Sequence, residues 1–309
     1  MTVSRPNNTT NSVPLLSEDE FLERLSGADL SFAELGPVLH ALAAAGDLAQ
    51  AEARARLLQD VFIERRQPLE ALEVLALRLT WTDGRVPPEA FVRQLVEIVG
   101  AGADGRALIE AVGIEQNRPA EVIGRLRTLL RLAPGVICLD RTWGVGVVRQ
   151  MDFFDRKVEI DFERRAGHRM SFAYAAEALT VLPPDHLLAE WQRDPEGVRA
   201  RAKSEPGELV IHALRSFGPM TVVQLQETLS PRIVPPEAWK EFWEAARRQL
   251  RQRRDIRIPS RRTEPLTWCA EASSEAEDPA AALLADRDPE SILERVQRAI
   301  NSGPLSGPL

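Results

Sequence analysis

The residues with most chemical potential in this sequence are arginines. Arg247, Arg248, Arg251, Arg253, Arg254 and Arg257 fall close together, and Arg261 and Arg262 follow. Guanidinium groups bind phosphates without regard to base sequence and with strong salt dependence. Residues 245–262 hold eight Arg and one Asp, a net charge of +7, inside a chain whose net charge is −7. The average argues against nucleic acid, and the segment argues for it. Arg247, Arg248, Arg251, Arg254, Arg257, Arg261 and Arg262 are therefore the candidate nucleic-acid-binding residues. A second reading stays open, in which they complement a helix C-terminus and form a solvated face. Their partner would then be the tail, residues 263–309, with nine acids and three Arg.

Catalytic constellations are not found. Gly100-Ala-Gly102-Ala-Asp-Gly105 matches a dinucleotide-binding fingerprint, but that motif needs a preceding strand. Here an amphipathic helix, Glu89–Val99, precedes it, so the stretch reads as a Gly-rich turn between helices. His40, His168, His186 and His212 include no i, i+4 pair, and Cys138 and Cys269 are far apart, so no zinc site or disulfide framework is indicated. His168, in Arg-Ala-Gly-His-Arg, reads as a surface-loop residue. There is no P-loop and no nucleophile elbow, and the carboxylate pairs lie on solvated helix faces. The expectation is a non-enzyme with no catalytic residue, metal, cofactor or small-molecule substrate.

Three aromatics are candidate protein-binding residues. Trp143 precedes a Gly-x-Gly and either packs into a small β domain or stands out as a platform. Phe153 and Phe154 are adjacent in a turn, so they point to different sides and one is exposed.

The elements that carry these residues follow from periodicity. At 309 residues the chain has room for two or three domains. Hydrophobic residues at 44% and charged residues at 28% describe a soluble globular protein. No apolar run reaches the ~18 residues of a membrane span, and the first eleven residues lack the apolar core of a secretory signal. A reducing, cytoplasmic setting is expected from the two cysteines.

Residues 1–16 read as a disordered arm. Residues 17–133 read as helices joined by short turns, with apolar sets such as Phe21, Leu22, Leu25 and Leu72, Leu75, Leu79. Small residues around Gly46-Asp47 resemble a tetratricopeptide (TPR) turn, without a clean 34-residue period. The period changes to two at 134–183, where Val158, Ile160 and Phe162 alternate with Glu159, Asp161 and Glu163. About five short strands, including Met170–Phe172 and Leu179–Leu182, predict a small closed barrel of SH3/Tudor size. Residues 184–269 predict three helices followed by a β-hairpin, the winged-helix order, with Trp239, Phe242, Trp243, Ala246 and Leu250 on one stripe of the third helix. Residues 270–309 read as an acidic tail with one helix, Pro289–Ile300. The fold class is thus multidomain and mainly α: an irregular helical-repeat (TPR-like) layer, a small β-barrel and a winged-helix-like domain.

These residues also resemble a family. The stretch Arg141-Thr-Trp143-Gly144-Val-Gly146-Val-Val-Arg, then Val-Glu-Ile-Asp161-Phe162-Glu163, then Gly167-His168-Arg-Met170-Ser-Phe172 is similar to a segment of unusually long Gre-type transcription elongation factors. So is Leu-Pro-Pro-Asp-His186 through Trp239-Lys-Glu-Phe-Trp243 to Thr263-Glu264-Pro265. In those chains helical, barrel and winged-helix-like units precede the Gre module. The barrel also resembles the polymerase-interacting barrels of CarD-type regulators, a fold-level analogy. A Gre coiled coil with acidic tip residues is not seen, so no transcript-cleavage residue carries over. The chain is read as the N-terminal part of a longer factor or as a stand-alone relative. The resemblance implies a non-catalytic accessory protein of transcription elongation that binds RNA polymerase through its helical layer and barrel. DNA or RNA phosphates would be touched by the winged unit. The alternative is a helical-repeat interaction scaffold unrelated to transcription.

Overall fold

The computed structural model describes residues 16–268, apart from 83, 260 and 262. The arm before Leu16, Arg262, Cys269 and the tail with its expected helix at Pro289–Ile300 lie outside the described residues. The chain divides into two compact units, residues 1–192 and 193–309.

The first unit begins with seven helices: α1 (Glu18–Ser26), α2 (Phe32–Ala44), α3 (Leu48–Glu64), α4 (Pro68–Trp81), α5 (Pro88–Val99), α6 (Ala103–Val112) and α7 (Pro119–Arg131). Each start has a local cause. Ser17 and Glu20 form a reciprocal capping box at α1, and Asp47 accepts from Gln50 N at α3. Proline opens α4, α5 and α7, where its missing N–H costs nothing. The apolar stripes bury Phe21, Leu25, Leu58, Phe62, Leu72 and Leu75, whereas Leu22 and Leu57 are left about half exposed, rotated off those stripes by one residue.

Polar side chains tie the layer together. Arg78 on α4 donates to Glu52 Oε1 at 2.7 Å and Gln59 Oε1 at 2.7 Å on α3, and to Gln94 Oε1 at 2.9 Å on α5. Arg127 on α7 makes a bidentate pair with Glu73 on α4 at 2.5 and 2.8 Å.

The fingerprint-like glycines join α5 to α6. Gly100 ends α5 with φ +86°, and Gly102 is the N-cap of α6. A Cβ on Gly105 would lie 2.0 Å from the Gly100 carbonyl oxygen. The third glycine is there for a close helix–turn approach.

Five strands follow: β1 (Ile137–Asp140), β2 (Gly144–Asp152), β3 (Lys157–Phe162), β4 (Arg165–Ser171) and β5 (Thr180–Val181). They form one antiparallel sheet in the order β4-β3-β2-β1-β5. The expected barrel does not close, because β4 and β5 are free edges. The chain leaves the sheet at Ser171, whose Oγ accepts from Tyr174 N and caps α8 (Phe172–Ala178). The strand expected to continue through Phe172 is therefore a helix start. Phe172, Ala175 and Ala176 of α8 join the core against α6 and α7, so helices cover the face that closure would have covered.

Val158, Ile160 and Phe162 line that face, and the helical layer and sheet share one core. On the other face Ile137 and Val145 pack with Leu182 and with Leu188 and Ala189 of α9 (Leu187–Arg193).

The second unit contains α10 (Pro195–Ser204), α11 (Pro206–Phe217), α12 (Val222–Leu229), a 3₁₀ turn at Pro236–Ala238, α13 (Trp239–Leu250), β6 (Ile256–Arg257) and β7 (Thr267–Trp268). Proline also opens α10 and α11. Gly218 stops α11 at φ +81°, and a Thr221–Gln224 capping box starts α12. β6 and β7 pair antiparallel, and Met220, between α11 and α12, bridges to Leu266.

Candidate interaction surfaces

The arginine cluster sits at the end of α13 and on the segment leading into and beyond β6. Helix α13 packs on α11, burying Trp239, Phe242, Ala246 and Leu250 at helical spacing. Trp243, expected on the same stripe, is half-buried and stacks parallel to Trp239. A Cβ on Gly207 would lie 2.8 Å from Gln249 Oε1, which accepts from Gly207 N at 2.7 Å, so the two helices meet closely.

Burying one face of α13 turns the charged face outward. Arg247, Arg248, Arg251, Arg254, Arg257 and Arg261 are all exposed, and none forms an ion pair with another described residue. Arg262 lies outside the described residues.

Arg253 behaves differently. Its guanidinium donates to both carboxylate oxygens of Asp255, at 2.8 and 2.7 Å, and to Glu208 on α11. Those hydrogen bonds from Arg253 hold the Asp255 carboxyl down at about 2, and the bond to Asp255 leads in holding the Arg253 guanidinium charged. A depressed carboxyl stabilises the fold above its unfolded pKa and loses that contribution as pH falls through about 2. The clamp is thus fully formed at neutral pH. It fixes the end of α13 to α11 and leaves the other arginines to water.

The charge on α13 is divided along its axis. Glu237 on the preceding 3₁₀ turn and Glu241 and Glu244 in the first half of the helix are exposed, with Lys240 among them, and the arginines begin at Arg247. This order suits the helix macrodipole. The acidic half is written in the sequence at positions 237, 241 and 244, next to the denser arginine run. A second contact had no sequence signal: the Arg215 guanidinium lies 4.3 Å over the ring of Trp268 on β7, 53 residues away.

The three aromatics of the first unit have separate fates. Phe153 packs edge-on against Phe172 at 5.3 Å and belongs to the core margin. Phe154 is 96% exposed. Trp143 is half-buried, with the His168 ring 4.9 Å away and the Arg165 guanidinium 5.2 Å over its own ring. His168 lies in β4, opposite Ile160, and not in a surface loop. Asp161 fastens that hairpin: it accepts from Gly167 N at 2.7 Å and Arg149 Nε at 2.6 Å, and these bonds hold its carboxyl below the usual range.

Among the described residues no group of three or more His, Cys, Asp or Glu could hold a metal ion, and no helix is long and apolar enough to cross a membrane. Burial, with Asp140 adding repulsion, pushes the Cys138 thiol up to about 12. In a Cys269→Ser background, Cys138 is expected to resist a thiol reagent at pH 8 and to react once urea unfolds the chain. Rapid labelling of the folded protein would contradict its placement.

Comparison with known proteins adds four findings. A family model described as the GRAD helix-turn-helix domain matches residues 188–272. A transcription elongation factor GreA of Chlamydia pneumoniae is 31% identical over 160 residues, covering 51% of this chain and 22% of that protein. A second, from Chlamydia trachomatis serovar D, is 28% identical over 148 residues, covering 47% and 21%. The matched region is thus about a fifth of the length of these curated relatives. No solved structure matches the chain.

Proposed function

We propose that this chain is a non-catalytic accessory protein of transcription elongation, akin to the N-terminal part of a long Gre-type factor. Its first unit binds RNA polymerase, and its second touches nucleic-acid phosphates. The observation that carries the reading is the similarity of about half the chain to two GreA proteins, together with a helix-turn-helix match over residues 188–272.

The geometry supports a division of labour. The order α11, Met220, α12, α13, β6, β7, with Met220 bridging to Leu266, supports the winged-helix reading. The exposed arginines lie where its third helix meets the hairpin. In the first unit, a layer of short helices and a sheet with an exposed Phe154 suit a protein partner. A reducing cytoplasm fits a buried, free Cys138.

The full chain, immobilised, is expected to retain RNA polymerase subunits from a lysate of its source organism. Phe154→Ala is expected to reduce that capture about tenfold, a usual cost for one exposed anchor. Its circular-dichroism melt stays unchanged, because a side chain 96% exposed contributes little packing. Capture of other proteins with no polymerase subunit would instead support the scaffold reading.

A further inference from the structure

We propose that the second unit grips the backbone of duplex DNA with the C-terminal end of α13 and the β6–β7 segment, not with the first half of α13. This rests on the nucleic-acid part of the proposed function and specifies how contact is made. In helix-turn-helix docking the recognition helix enters the major groove and its N-terminal residues reach the base edges. The groove walls are phosphates, so net negative charge on that end of the helix opposes entry. Here the 3₁₀ turn and the first half of α13 carry Glu237, Glu241 and Glu244 against a single cation, Lys240, all exposed, a net charge of −2, and none of the three carboxylates is in an ion pair with a described residue. A net negative helix end beside the phosphate rows would be repelled by them, most strongly at low salt.

The other end has the opposite character. Arg247 and Arg248 on the last turn of α13, Arg251 at its C-cap and Arg254, Arg257 and Arg261 beyond it are exposed and unclaimed by any described acid. Arg253, tied to Asp255 and Glu208, holds the segment from which they project. A rigid support for several guanidinium groups is what phosphate contacts need, because their forked donors match phosphate oxygens two at a time. The grip should be indifferent to sequence and strongly dependent on salt.

The test measures anisotropy of the full chain with two unrelated 24-bp duplexes and a single-stranded RNA of equal length. The salt series runs from about 50 to 200 mM. The two duplexes are expected to bind within about threefold of each other, and the RNA more weakly. Arg251→Ala/Arg254→Ala/Arg257→Ala should weaken duplex binding at least tenfold and lower the salt slope by about one per arginine removed. Glu241→Gln/Glu244→Gln should leave binding unchanged or strengthen it. Strong preference for one duplex, lost on Glu241→Gln/Glu244→Gln, would overturn the proposal in favour of an inserted α13. Tighter binding of RNA, or a triple arginine variant that binds like the parent, would also overturn it. So would no duplex binding at the lowest salt, which with polymerase capture intact would make the arginines a docking face for an acidic protein. Loss of polymerase capture with duplex binding intact would instead count against the proposed function alone.

Discussion

Arg78→Ala is expected to destabilise the first unit by about 3 kcal/mol, the usual cost of stranding the partners of a buried, hydrogen-bonded charge. The Arg78 side chain is 12% exposed and ties its own helix, α4, to α3 and α5 at once. Removing it leaves Gln59, 3% exposed, without its donor. It also takes from Glu52 its contacts with α4, leaving only Arg56 on its own helix. Burial disfavours the Glu52 carboxylate, but hydrogen bonds from Arg78 and then Arg56 outweigh it and hold its pKa low. The sign follows from linkage. The contribution is present above the unfolded carboxyl pKa and fades as pH falls through the lowered folded value. Hydrogen exchange in peptides from α3 to α5 would read the effect, with Arg78→Met keeping the stem in place. If the alanine variant protects those amides as well as the parent does at neutral pH, the three-helix tie is not a source of stability.

Gly105→Ala is expected to cost more than about 3 kcal/mol, since a methyl group there has no side chain to push aside. Its Cβ would lie 2.0 Å from the Gly100 carbonyl oxygen and 2.8 Å from that of Val99. Both are backbone atoms, so α6 must move off the end of α5. Gly124→Ala is the matched control. Gly124 lies inside α7 and an added Cβ meets nothing within 4 Å, so alanine should stabilise by about 0.5–1 kcal/mol. Urea-unfolding midpoints of the two variants should move in opposite directions. A Gly105→Ala protein as stable as its parent would show that the α5–α6 junction is loosely packed.

That junction also shows what one sequence discloses. The pattern Gly-x-Gly-x-x-Gly alone suggests a phosphate cradle, and the amphipathic run before it is what rejects that reading. Local signals of this kind carried most of the helices, since stripes, caps and helix-opening prolines are written within a few residues of one another. Strand β3 was equally plain, because Val158, Ile160 and Phe162 alternate with acids.

What local signals could not carry was closure. Whether five strands seal or stay open depends on α6, α7 and α8 taking up one face. Helix α8 was missed because Met170-Ser-Phe172 continues the strand pattern until Ser171 turns to cap Tyr174 N. The candidate surface divides in the same way. Charge density marked the arginine run, but the special role of Arg253 needs Glu208, 45 residues away. Adjacent Phe153 and Phe154 had to part company, and the position of Phe172 decided which one packed inward.

The prolines at the starts of α4, α5, α7, α10 and α11 have a consequence beyond their own helices. Each biases the residue before it toward extended backbone, so no helix can grow backward into its predecessor. Between α10 and α11 the interval is a single residue, Glu205, at φ −133° and ψ 59°. Without Pro206 the two helices could run on as one long rod, which would carry α11 away from Gln249 and the Arg253 clamp. The prolines act as punctuation: they narrow the conformations of the unfolded chain and keep its helices short enough to fold back on one another.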